Sequence, residues 1–266
     1  MPKRTKPDHI LSKLITEFEE QGQILHKDHW EEKSYIRLIQ HYEKQCQLDK
    51  ALEVTGLALR LYQYKPDFFL IKAKLLLSLQ KPQAAISVLD QAYALSPFDH
   101  EISLLKAKAF ALSHQFDESI KIIYDLKCTF SKSDLTELLL VEAFIYETMK
   151  DFNKMFDTLK EALTLNPNNH EALEQIWVSV EFSKKYDESV KLHQEIIDKN
   201  PYSYLAWYNL GHAYSCLGEY EKAVEALEYS FLINSHFEQG YLDCAELCLQ
   251  VNMYEKALRC YQEANE

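Results

Sequence analysis

The sequence holds one dense group of potential metal ligands, His26-Lys27-Asp28-His29. Imidazole and carboxylate groups are ligands that zinc prefers, so His26, Asp28 and His29 could form a surface metal site. Three ligands within four residues do not have the spacing that zinc sites usually have, and a polar turn between two helices is the interpretation that we favour. The sequence therefore predicts no metal and no cofactor.

A second pair of potential ligands, Cys244 and Cys248, is spaced so that both side chains would lie on one face of a helix. They could share a metal, but both stand where large core residues recur elsewhere in the chain, so buried side chains are favoured. His193 stands at a similar position and is expected to be a core histidine with its hydrogen bonds satisfied. None of the six cysteines forms a C-x-x-C pair, which indicates free thiols in a reducing compartment.

Signatures of catalysis are missing from the sequence. It contains no G-x-S-x-G, H-E-x-x-H or Walker motif. With only 5 glycines in 266 residues, it also has no glycine-rich loop that could hold a phosphate group. We therefore expect a protein without enzymatic activity.

Charge and hydropathy narrow the range of partners. The formal net charge is -12, which disfavours nucleic acid and anionic membrane surfaces. No apolar run reaches the roughly 18 residues that a membrane-spanning helix needs, and the basic start of the chain has no apolar segment of a secretory signal behind it. These features predict a cytoplasmic protein whose partners are proteins or peptides.

A pattern of residue types recurs about every 34 residues along the chain. The segment Tyr220-Glu-Lys-Ala223 returns as Tyr254-Glu-Lys-Ala257, and in weaker form as Tyr186-Asp-Glu-Ser189. Within each unit, apolar residues are spaced by three, four and seven, which is typical of one face of an α-helix. Two such stretches follow each other in every unit, so each unit is predicted to be a pair of helices.

A column of small residues marks where the two helices of a unit cross closely, because a larger side chain would hold the backbones apart. This column holds Ala73, Ala107, Ala143, Gly211 and Ala245, whereas Ile39 and Trp177 depart from it. Prolines at the ends of three units would stop the second helix, because proline cannot continue its hydrogen-bond ladder.

The residues Trp207, Leu210, Gly211, Tyr214 and Ala223, together with the period, resemble the tetratricopeptide repeat family. The resemblance implies an all-α fold, a right-handed α–α superhelical solenoid of helix–turn–helix repeats. We assign an N-terminal tail and an extra helix to residues 1–31, with the helix at 8–27. Seven repeats follow over 32–266, namely 32–65, 66–99, 100–135, 136–169, 170–203, 204–237 and 238–266.

The last unit is incomplete, and a solenoid normally ends in a polar capping helix. We therefore expect the natural protein to continue beyond residue 266. Two alternatives remain open: this end docks on another chain, or it mediates weak end-to-end self-association of an otherwise monomeric protein.

Family geometry implies that the first helices of the repeats line a concave groove. One column on these helices is apolar at six of seven positions, where a solvated face should be polar. The predicted contacts with a partner are Ile36, Leu70, Lys74, Leu104, Lys108, Leu140, Phe144, Tyr208 and His212. In the alternative interpretation, this column is buried against neighbouring helices or filled by residues 8–27.

The favoured function is a non-enzymatic scaffold or adaptor that binds a peptide or helix of a partner protein in the groove. The alternative function is the regulatory or targeting repeat region of a larger protein whose effector or catalytic part lies beyond residue 266.

Overall fold

The computed structural model of the protein describes residues 9–21, 30–130 and 135–264, and these residues form fifteen α-helices and no β-strand. The all-helical prediction is confirmed. The helices are α1 His9–Gln21, α2 Glu32–Lys44, α3 Leu48–Leu61, α4 Pro66–Ser78, α5 Pro82–Leu95, α6 His100–Leu112, α7 Phe116–Lys127, α8 Leu135–Met149, α9 Phe152–Leu165, α10 His170–Ser183, α11 Tyr186–Lys199, α12 Tyr204–Cys216, α13 Tyr220–Ile233, α14 Glu238–Gln250 and α15 Tyr254–Glu263.

Two sequence expectations concern metals and membranes. The group formed by His26, Asp28 and His29 lies outside the described residues. Elsewhere in the described chain, no three His, Cys, Asp or Glu side chains are arranged to hold a metal ion. None of the described helices combines the length and hydrophobicity that crossing a lipid bilayer requires.

Helices α2 to α15 follow each other as seven pairs, and the spacing of apolar residues decides which face of a helix is buried. In α9, the residues Met155, Phe156, Leu159 and Leu163 are buried, at intervals of one, three and four. This spacing keeps them on one side of a helix. Complete burial of such a side chain stabilises the fold by about 1.5–3 kcal/mol.

The turn inside each pair has a left-handed residue. After α4, the Lys81 N–H donates to the Leu76 carbonyl at 2.8 Å and the Gln80 N–H donates to the Leu77 carbonyl at 2.9 Å, while Gln80 has a φ of 57°. This is the Schellman motif that ends many helices. Six of the seven turns contain this pair of hydrogen bonds. The left-handed residues are Cys46, Gln80, His114, Lys150, Lys184, Gly218 and Asn252.

The chain divides into two compact units, Met1–Tyr124 and Asp125–Glu266, which we call unit 1 and unit 2. In unit 1, α1 contributes Leu14 and Phe18 to the hydrophobic cluster that α2 and α3 build. The Trp30 indole N–H donates to Glu17 Oε2 at 3.0 Å and holds α1 beside the first pair. A second cluster joins α4, α5 and α6.

Unit 2 has one continuous hydrophobic core from Leu139 to Cys260. In its small-residue column, a Cβ atom added to Gly211 would lie 2.7 Å from Leu227 Cγ, so glycine is needed at this helix crossing. The predicted burial of Cys244 and Cys248 is confirmed. Cys244 contacts both Cys248 and Cys260, and all three are free thiols.

His193 is fully buried, as predicted, but its hydrogen bonds are only half satisfied. Its Nδ1 atom lies 2.7 Å from the Ser189 carbonyl oxygen, and its Nε2 atom has no partner in the described part of the chain. The expectation of a satisfied core histidine is therefore wrong for Nε2. Burial lowers the pKa of His193 to about 4, so the imidazole is neutral in the folded protein near neutral pH.

Candidate functional site

In each helix pair, we call the helix that comes first in the chain a first helix and the other a second helix. All nine predicted contact residues lie on first helices. The expected exposure of the apolar column is wrong at three positions. The exposed fractions are 5% for Leu70, 4% for Leu104 and 8% for Leu140. Leu70 belongs to the cluster of α4, α5 and α6, and Leu140 belongs to the core of unit 2. Neighbouring helices therefore bury the column at these three positions, as the alternative interpretation held for the whole column.

The other predicted contacts in unit 1 are accessible to different degrees. Ile36 is partly buried and packs against the cluster that α1 completes. Lys74 is exposed, and its Nζ atom forms an ion pair with Glu101 Oε1 at 2.6 Å. Lys108 is partly buried. An exposed ion pair contributes only about 0–1 kcal/mol, so Lys74 can exchange Glu101 for another acidic group.

In unit 2, Tyr208 and His212 lie together in a cluster of polar and aromatic side chains, whereas Phe144 is a separate, partly buried residue of α8. Tyr208 donates a hydrogen bond to Asp243 Oδ2 at 2.5 Å, and His212 Nε2 lies 3.0 Å from the same oxygen. Gln239 donates to the other carboxylate oxygen at 2.7 Å.

Aromatic contacts extend this cluster to a third first helix. The His212 ring centroid lies 4.4 Å from that of Tyr208 and 4.9 Å from that of Trp177. The side chains of Trp177, Tyr208, His212, Gln239 and Asp243 form what we call the Asp243 cluster. It spans three consecutive first helices, α10, α12 and α14.

The electrostatics of the cluster fix the protonation states of Asp243 and Tyr208. Burial opposes ionisation of Asp243, but the hydrogen bonds from His212, Tyr208 and Gln239 outweigh it and lower the pKa of the carboxyl. Burial, together with the hydrogen bond to Asp243, raises the pKa of Tyr208 far above its ordinary value. The carboxylate is thus ionised and the phenol neutral near neutral pH, which keeps the tyrosine a hydrogen-bond donor.

A histidine oriented by a carboxylate is also found in hydrolases, where it activates a nucleophile. In the described chain, His212 has no hydroxyl or thiol hydrogen-bonded to it; its contacts are Asp243, Tyr208 and Trp177. The arrangement can therefore present rings and a carboxylate to a partner, but it lacks the parts of a nucleophilic active site.

The first helices of the two units differ strongly in charge. In unit 2, helices α8, α10, α12 and α14 contain nine Asp and Glu residues and no Lys or Arg. In unit 1, helices α2, α4 and α6 contain seven Lys and Arg residues and four Asp and Glu residues. Each unit thus offers a charged partner a different first-helix surface.

Sequence reasoning identified Tyr208 and His212 but missed Trp177, Gln239 and Asp243. A signal for Trp177 was present, because tryptophan in a column of small residues cannot pack between two closely crossing helices. For Asp243 there was none, because its hydrogen-bond partners Tyr208 and His212 are 35 and 31 residues away.

Comparison with known proteins agrees with the architecture. Sequence profiles described as tetratricopeptide repeat match residues 71–127, 136–169 and 194–225. No curated protein sequence matches the chain.

Two solved structures resemble the fold. A crystal structure of a tetratricopeptide repeat protein from Parabacteroides merdae has a TM-score of 0.55 and 15% identity, covering 88% of this chain and 91% of that chain. A chain of the APC/C hetero-tetramer Cut9-Hcn1 has a TM-score of 0.50 and 17% identity, with coverage of 96% of this chain and 50% of the other. This chain thus spans about half the length of that second protein.

Proposed function

Because the chain belongs to the tetratricopeptide repeat family, we propose that it is a non-enzymatic scaffold or adaptor that binds a segment of a partner protein on its first helices. Helical repeat proteins use such surfaces to bind other proteins. The Asp243 cluster is the observation that carries the proposal for this chain. Its rings are held in place by hydrogen bonds and by each other before any partner arrives.

Such preorganisation favours binding, because side chains that are already ordered lose little conformational entropy in a complex. Tryptophan and tyrosine are also the residues that most often dominate the binding energy of protein interfaces. We therefore assign the main contacts in unit 2 to Tyr208, His212 and Trp177. The buried residues Leu70, Leu104 and Leu140 support the helices and do not contact the partner.

Charge sets the expected chemistry of the partner. A segment bound by the first helices of unit 2 would carry Lys or Arg, since these helices contain nine acidic residues and no basic ones. A segment bound by the first helices of unit 1 would carry acidic residues, with Lys74 and Lys108 as the proposed contacts.

We further propose that the protein acts in the cytoplasm. All six cysteines are free, although Cys244 lies in contact with both Cys248 and Cys260. Neighbouring thiols without a disulfide between them would persist in a reducing compartment, where disulfides are rare. Fractionation of cells under native expression, followed by detection of the untagged protein, tests the assignment; recovery in a secreted or periplasmic fraction contradicts it.

A matched pair of tyrosine variants tests the binding site. Tyr208→Ala removes the central ring of the Asp243 cluster, and Tyr220→Ala removes a tyrosine from the second helix α13. Partners recovered with the wild-type protein are quantified by mass spectrometry for both variants, after circular dichroism has checked that each is folded.

We expect recovery of a specific partner to fall at least about tenfold with Tyr208→Ala, because loss of an interface anchor costs 1.4 kcal/mol or more. Recovery with Tyr220→Ala should stay within about twofold of wild type, since surface changes away from an interface have small effects. Full recovery with folded Tyr208→Ala would show that the partner binds elsewhere.

A further inference from the structure

A second candidate site lies in unit 2, apart from the Asp243 cluster. The second helices α11 and α13 flank a cavity of about 520 Å³ whose floor is α12, and we call it the α11–α13 cleft. Its volume is in the range of pockets that hold small molecules or partner side chains. Buried residues of the hydrophobic core, Leu210 and Ala226, contribute to the lining, so the cleft has an apolar base.

Two aromatic rings form one wall of the cleft. The ring centroids of Trp207 and Tyr229 lie 4.6 Å apart, and the Trp207 indole N–H donates to the Pro201 carbonyl at 2.8 Å. This hydrogen bond fixes the orientation of the indole. Tyr229 remains 50% exposed.

The exposed Tyr229 is a departure from the repeat pattern. In the preceding second helices α9 and α11, the same register holds Glu161 and Glu195. Those positions are exposed and charged, as a solvated helix face should be. Tyr229 therefore has no role in the repeat architecture that would account for an exposed ring at this position.

Two carboxylates flank the rings from opposite sides of the cleft. Asp198 lies on α11 and Glu225 on α13, and both are exposed. Neither has a hydrogen bond or an ion pair with any described residue. The lysine of the lining, Lys222, already pairs with Glu219 at 2.5 Å. Lys222 also lies 5.3 Å from the centroid of the Tyr214 ring, the third ring of the lining. The cleft therefore combines the Trp207 and Tyr229 rings with two carboxylates that have no ion-pair partner in the described chain.

We propose that the α11–α13 cleft binds an arginine side chain of a partner protein. A guanidinium group is planar, stacks on the faces of tryptophan and tyrosine, and forms paired hydrogen bonds with carboxylates. The apolar base suits the aliphatic part of the arginine side chain. This inference rests on the cleft alone and does not depend on binding at the Asp243 cluster.

The indole N–H signals of the protein make a direct test possible. The chain has three tryptophans, and Trp207 lines the cleft while Trp177 belongs to the Asp243 cluster. The full chain is labelled with ¹⁵N and titrated with the peptide acetyl-Leu-Arg-Leu-amide, with assignment of the signals by Trp207→Phe and Trp177→Phe. The control peptide contains citrulline, which has nearly the shape of arginine and no charge.

We expect the Trp207 signal to shift and saturate with the arginine peptide, while the Trp177 signal stays in place. The citrulline peptide should bind at least about tenfold more weakly, since it loses both ion pairs and the cation–π contact. The proposal is overturned if the Trp207 signal does not move, if citrulline binds equally well, or if only the Trp177 signal moves. The last result would leave the proposed binding at the Asp243 cluster intact.

Variants of the cleft provide the second arm. Tyr229→Gln removes the ring and introduces glutamine, the residue that occupies the same register of α5 at Gln91. The double variant Asp198→Asn, Glu225→Gln removes the charges. Each is expected to weaken the arginine peptide about tenfold, whereas Glu221→Gln on α13 should have no effect. Unchanged affinity in folded Tyr229→Gln would contradict the proposal. This test stands even if the double variant does not fold.

Discussion

Six of the seven turns have a left-handed residue other than glycine, which predicts that glycine would stabilise the protein there. Gln80 is a suitable position, because its side chain is exposed and has no hydrogen bond with any described residue, while its φ is 57°. In Gln80→Gly, both backbone hydrogen bonds of the turn can remain, since they come from the main chain. The substitution therefore changes only the conformational preference of one residue.

The expected gain follows from two opposing terms. A residue other than glycine in the left-handed region costs about 1–2 kcal/mol. Glycine relieves this strain but loses more backbone entropy on folding, which opposes the gain by about 0.5–1 kcal/mol. The difference predicts that Gln80→Gly raises the free energy of unfolding by about 0.5–1 kcal/mol.

The matched control is Gln91→Gly in the interior of α5, where Gln91 is also exposed. There the backbone is helical, and glycine should lower the free energy of unfolding by about 0.5–1 kcal/mol. Both variants are compared with wild type by urea unfolding, followed by circular dichroism at 222 nm. Two substitutions of the same residue type should thus change stability in opposite directions. A loss of stability of the same size in both would refute the reasoning from the turn.

Three further predictions concern the core of unit 2 and the Asp243 cluster. Gly211→Ala should lower the free energy of unfolding by about 1–3 kcal/mol through the clash with Leu227. As the control in unit 1, Gly56→Ala should raise it by about 0.5–1 kcal/mol, because the added Cβ would meet no atom within 4 Å. Thermal denaturation that shifts both variants in the same direction would contradict this. The buried His193 has a pKa of about 4 against an ordinary 6.5, so the unfolded chain takes up a proton in that window that the folded chain does not, and stability should fall as the pH drops from 6.5 to 4. His193→Leu should remove this part of the pH dependence in urea titrations, and an unchanged slope would argue against the assignment. Asp243→Asn should lower stability at pH 7 by about 1 kcal/mol, because three hydrogen bonds converge on the charged carboxylate, and equal urea midpoints would show that they contribute nothing.

The helices could be predicted from the sequence because the spacing of apolar residues along a helix is a local property. Burial of the apolar column could not, because the exposure of Leu70 and Leu140 depends on how closely the next repeat approaches. The column has the pattern of an exposed apolar stripe in each helix taken alone. Only the packed cluster of several helices shows that it belongs to the core.

The candidate site could be predicted only in part, again because contacts between repeats are not visible in a single helix. Tyr208 and His212 occupy a face that the repeat pattern places away from the paired helix. Their partner Asp243 lies in another repeat. A hydrogen bond between side chains of two repeats depends on rotamers and on the separation of the helices, and neither is encoded in a residue column.

The lysines of unit 2 have a practical consequence for handling the protein. Helices α8, α10, α12 and α14 contain none, so the described lysines of this unit lie on second helices and in turns. Reagents that acylate primary amines, including those used for biosensor immobilisation and cross-linking, will therefore attach to unit 2 away from the side chains of its first helices. A surface coupled in this way leaves the Asp243 cluster chemically unmodified, whereas carbodiimide coupling through carboxylates would modify the acidic helices directly.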